Sequence, residues 1–156
     1  MSRRLVVLAC VLLGAAGCSS SHKTAQRPAS PTRAGFVREA NGICKTYDAK
    51  FNRLPQPRAP AEVGPYVDRA SGLIEKELGK LRAVAAPTPL AARYRRFLAS
   101  GAQELRLTRR LAAAAKAGDA TAVRRLIAAG QRMDAHANVF AKEIGLRACA
   151  QPSSAG

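Results

Sequence analysis

The chain has no tryptophan, only three tyrosines and four phenylalanines, and just two histidines in 156 residues. Single-stranded nucleic acid is held on aromatic platforms beside a basic groove. Here Phe36, Tyr47, Phe51, Tyr94, Phe97 and Phe140 all sit at core spacing, so a nucleic-acid partner is not expected. His22 and His136 stand alone. Without His-Glu-x-x-His or a Cys/His cluster, no metal or cofactor site is expected. Gly-x-Ser-x-Gly, the P-loop and Gly-x-Gly-x-x-Gly are missing too. With no catalytic residues to name, the sequence reads as a non-enzyme. Acids are scarce, ten against 26 Lys and Arg, for a formal charge of +16. An acid/base pair would need distant carboxylates to converge in space, which no local pattern here enforces. Long apolar runs are lacking as well. The longest, residues 5–16, falls short of the ~20 apolar residues a bilayer span needs.

What that run does have is the layout of an export signal. Arg3 and Arg4 form a positive start, residues 5–16 the apolar centre, and Ala15-Ala16-Gly17-Cys18 a small-residue end. This end resembles the lipobox of bacterial lipoproteins, although Ala15 stands where that motif more often has Leu. The resemblance implies cleavage after residue 17, a diacylglyceryl group on Cys18 and a place at the outer face of the plasma membrane. Residues 18–33, rich in Ser, Thr, Pro and basic side chains, read as a flexible tether that includes His22. Residues 151–156 read as a frayed tail.

Of four cysteines, Cys10 lies in the signal and Cys18 in the lipobox. Cys44 and Cys149 remain. Leftover cysteines in an exported chain usually pair, so a disulfide between them is expected, with two buried thiols as the other reading.

The region 34–150 reads as one all-α domain. Apolar residues recur at three- and four-residue steps over 34–53, 62–84, 88–116 and 119–144. The last stripe is Val123, Leu126, Ile127, Met133, Ala137, Phe140 and Ile144. Thr88 is expected to cap the third helix and Asp119 the fourth. Pro65 is expected in the first turn of the second, where its missing N–H costs nothing. Gly118 and Gly145 suit left-handed helix stops. Mostly short connections favour an antiparallel four-helix bundle. In it, Cys149 reaches Cys44 only if the segment after Gly145 lies back along the first helix. Glu77 falls at the edge of the second stripe.

The third helix is the most basic element. At about 100° per residue, Arg95, Arg106, Arg109 and Arg110 lie near one line, about a third of a turn from the apolar stripe. That line is a candidate anion-binding face, against the plainer reading of a solvated surface. Arg124, Arg125 and Arg132 of the fourth helix are placed to extend it.

Beyond the lipobox, Ala40-Asn41-Gly42-Ile43-Cys44 and Ala141-Lys142-Glu143-Ile144-Gly145-Leu146-Arg147-Ala148-Cys149 resemble small secreted helical lipoproteins of actinobacteria, a group without assigned activity. The resemblance implies a structural disulfide and no catalysis. The leading expectation is therefore a membrane-anchored, non-catalytic module. Its partner would be an anionic envelope polymer, a lipid surface or a protein. The alternative is a small-ligand binder with a large apolar cavity inside the bundle. An enzyme, marked by a buried carboxylate cluster or a partnered His136, comes third.

Overall fold

The computed structural model describes residues 31–150. The signal, Cys18, nearly all of the tether and the tail lie outside the described residues. What is described is all-helical: α1 (Arg33–Phe51), α2 (Pro60–Ala83), α3 (Thr88–Lys116), α4 (Ala120–Glu143) and a closing 3-10 turn, Arg147–Ala150. Among the described residues there is no strand, and no helix is long and apolar enough to cross a membrane.

The helix ends follow local chemistry, with two departures from expectation. Thr32 caps α1, its Oγ1 accepting from the Gly35 amide at 3.1 Å. Asp119 caps α4 as expected, accepting from the Ala122 amide at 2.8 Å. Thr88 does not cap α3. It is the first helical residue, and the Leu90 and Ala91 amides go to the Pro87 carbonyl instead, at 2.8 and 3.0 Å. The second helix starts at Pro60, earlier than expected, which leaves Pro65 inside it and not in its first turn. Ala61 and Pro65 are both exposed, so water can reach the Ala61 carbonyl that a residue-65 amide would have bonded.

Gly118 and Gly145 adopt φ of +69° and +87°, a region that L side chains enter only at a cost. After Gly145 the chain doubles back. The Leu146 amide donates to the Ala141 carbonyl at 2.8 Å and the Leu146 side chain is fully buried, which is the hydrophobic return expected of such a stop.

Packing runs from α1 to α2, α2 to α3 and α3 to α4. Leu78 of α2 fills the space beside Gly101 of α3, where an added Cβ would come within 2.6 Å of it. The Tyr94 hydroxyl donates to the Leu81 carbonyl at 2.6 Å. That bond satisfies a buried phenol and ties α3 to the last turn of α2. Phe36 meets the Tyr94 ring edge-on, with centroids 4.8 Å apart. The main core gathers Phe36, Ala40 and Cys44 of α1 with Leu81, Leu90, Tyr94, Ile144 and Leu146.

The backbones of α1 and α4 do not come close; the closing turn sits between them and touches both, while Ala141 and Phe140 of α4 reach the core shared with Phe36 and Ala40. The expected disulfide is formed there. Cys44 is bonded to Cys149 with Cα atoms 5.1 Å apart, within the bridging range. Asn41, one turn earlier, donates from Nδ2 to the Gly145 carbonyl at 3.2 Å and accepts from the Ala148 amide at 2.8 Å.

One stripe position fails. Ile127 is 46% exposed, although its spacing places it in the core. The helix α1 ends at Phe51 and α4 packs only on α3 and the closing turn. The first half of α4 therefore has no second neighbour to cover Ile127.

Candidate functional site

A cavity of about 120 Å³ opens in the gap that α1 and α4 leave between them. Each helix contributes one carboxylate to its lining: Asp48 from α1, Glu77 from α2, Glu104 from α3 and Asp134 from α4. Phe51, Ile74, Leu78, Leu81, Phe97 and Ala137 form its apolar wall, and Cys149 brings the disulfide to its edge. Asp48, Glu77 and Glu104 are half-buried, while Asp134 lies exposed at the rim.

Among the described residues there are two ion pairs, Arg109–Glu75 and Lys116–Asp68. Neither involves a cavity carboxylate, so the acids face one another without a counter-cation. Burial disfavours their charged forms, and like neighbours add to the effect. Glu77 is pushed up to about 8, first by burial and then by Asp48 and Glu104. Glu104 rises to about 7, by burial and then by Asp134. Asp48 and Asp134 are also raised by burial. The four are spread around the cavity. Among the described residues no group of three His, Cys, Asp or Glu side chains is placed to hold a metal ion.

Chemically, such a ring can hold and release protons near neutral pH. Its volume suits a few waters. Pockets for small organic ligands run to several hundred Å³, so this is not the large apolar cavity that a ligand-binding bundle would need.

The sequence marks the ring only faintly. Glu77 lies at the edge of its stripe, Asp48 follows Cys44 by one turn, and Glu104 stands about 60° from the middle of the buried face of α3. Each position is readable alone. Their convergence depends on how the four helices meet.

The expected arginine line divides. Arg109 turns to α2 and pairs with Glu75 at 2.9 Å, an exposed contact of small energetic weight. Arg95, Arg106 and Arg110 remain exposed on the side of α3 turned away from its buried Leu90, Tyr94 and Phe97. Arg96, also exposed, joins them within an arc of about 100°. Arg124, Arg125 and Arg132 of α4 are exposed too. His136 is exposed, with no hydrogen bond or ion pair. No protein family, characterised protein or solved structure matches the chain, so its chemistry is read from its own residues.

The raised carboxyls set a pH dependence of stability. The folded state holds protons on Glu77 and Glu104 that the unfolded chain, near 4.5, releases earlier. Their stabilising protonation is complete below about 4.5 and is lost as pH rises through about 7 and then about 8. The urea midpoint should therefore be lower at pH 9 than at pH 6, and Glu77→Gln should shrink the difference. A midpoint that is flat or rising over that range would contradict these shifts.

Proposed function

We propose that this chain is a lipid-anchored, extracytoplasmic module at the outer face of the plasma membrane. It acts without catalysis and docks on anionic surfaces through the outer face of α3. The observation that carries the reading is the exposed set Arg95, Arg96, Arg106 and Arg110. These lie on the side of α3 opposite its buried Leu90, Tyr94 and Phe97 and have no carboxylate in ion-pair range. Support for the anchor comes from residues 1–18 alone. An antiparallel bundle is supported by paired contacts along its helices. Gly64 lies beside Lys116 and Leu78 beside Gly101, while Leu107 lies beside Gly130.

Lipid headgroups are the favoured partner, because an anchor at Cys18 would hold the basic face within reach of them. An acidic envelope polymer or protein offers the same anionic chemistry. The small-ligand reading is weaker: the acid-lined cavity holds about 120 Å³, and the larger hollow beside Tyr47, about 350 Å³, is an open surface depression and not a cavity inside the bundle. The carboxylate cluster in the cavity is the feature that would mark an enzyme, and it keeps that reading as the third.

The anchor and the face are tested separately. Cys18→Ala should shift the protein from the membrane fraction to the medium or leave an uncleaved precursor. Unchanged fractionation and mass would refute lipidation.

For the face, the unlipidated domain is mixed with anionic and neutral vesicles. Exposed charges act over about 8 Å at physiological ionic strength, so binding to anionic vesicles should weaken as salt rises. Reversing Arg95, Arg96, Arg106 and Arg110 to Glu should abolish the preference for anionic vesicles. If the wild-type domain shows no preference at low salt but binds a soluble polyanion, the lipid assignment fails and the anionic one stands. If it binds neither, the arginines form a solvated surface only.

A further inference from the structure

Two walls of the acid-lined cavity are joined only above it, through the closing turn. On one side stand Asp48 and Phe51, in the last turns of α1; on the other stand Asp134, Ala137 and Asn138 of α4. The backbones of the two helices do not come close to each other. The closing turn lies between them, and its bond from Cys149 to Cys44 pins the middle of α1. Beyond Cys44 the helix runs on to Phe51 and then into a non-helical connection, residues 52–59. The contact of α1 with α2 is slighter than that of α3 with either of its neighbours, so the end of α1 is the less tightly held wall.

The charged groups facing the cavity are all acids: Asp48 from α1, Glu77 from α2, Glu104 from α3 and Asp134 from α4. The closing turn contributes no charge, for Arg147 is exposed and lies outside the lining. Lys50 is turned away, its ammonium 4.4 Å above the Tyr47 ring, and Lys80 lines a separate hollow beside Tyr47. No base is placed to neutralise the ring.

We propose that the seam between the end of α1 and the middle of α4 is a pH-operated gate, parted by ionisation of the four cavity carboxylates and hinged at the Cys44–Cys149 bond. Ionised carboxylates repel and require water. The α2–α3 and α3–α4 contacts are packed and resist widening, so the seam yields first. With Glu77 raised to about 8 and Glu104 to about 7, the transition falls around neutral pH. The gate is independent of the arginine face and stands or falls without it.

Amide hydrogen exchange on the disulfide-intact protein tests this, at pH 5.5 and 8.5, with rates corrected for intrinsic pH dependence. Exchange in residues 47–51 should be at least tenfold faster at the higher pH, while the contacting stretches of α2 and α3 keep their protection. Glu77→Gln with Glu104→Gln should remove most of the change. Asp48→Asn, a single change at a half-buried position, should reduce it in part. Equal loosening of all four helices would overturn the gate and leave only a global pH dependence. Corrected rates that do not change in the wild type would overturn it as well, as would a response undiminished in the neutral variants.

Discussion

Asn41 and Cys44, one turn apart on α1, hold the chain beyond α4 in place. The amide of Asn41 bonds both the Gly145 carbonyl and the Ala148 amide, and Cys44 is bonded to Cys149. Without this clasp the two outer helices would share only the side-chain core that Ala141 and Phe140 of α4 reach, because their backbones do not come close. The clasp also fills the core. It seats Leu146 and Ile144, both fully buried, against Phe36 and Ala40. It fixes the upper edge of the cavity as well, where Cys149 joins the lining. A covalent link across 105 residues removes much of the freedom of the unfolded chain, which suits a domain with one modest core and an incomplete ring of helices.

Charge is sorted by depth. The helix α3 carries Glu104 toward the cavity and Arg95, Arg96, Arg106 and Arg110 on its exposed side. With 26 basic residues and ten acids in the chain, four of those acids gather in one place where no base meets them. Burial and mutual repulsion then hold protons on the ring near neutral pH, while the outside stays strongly cationic. The first arrangement responds to protons and the second to anions. They occupy different sides of α3, so each can act without the other.

Periodicity carried the helices. Phe36, Ala40, Cys44 and Tyr47 are buried as their spacing required, and so are Leu90, Tyr94 and Phe97. The glycine stops and the Asp119 cap were equally readable, because each is decided within a few residues of chain. What local pattern could not supply was neighbourhood. Ile127 has the right spacing but no second helix beside it. Arg109 has the right angle but lies within reach of Glu75. The acid ring needs four helices to meet, and nothing short-range in the sequence enforces that. Asn41 was visible only inside a resemblance, as one letter of Ala40-Asn41-Gly42-Ile43-Cys44. Its role appears once the segment after Gly145 is seen to lie against α1.

The most direct measurement of the central role of the clasp is urea unfolding of the Cys44→Ala, Cys149→Ala double variant beside the wild type. On chain-entropy grounds, a loop of about 100 residues predicts a loss approaching ~4.7 kcal/mol, with the closing turn released from α1. A variant that keeps wild-type stability and a protected closing turn would show that packing alone holds α1 to α4, contrary to this account.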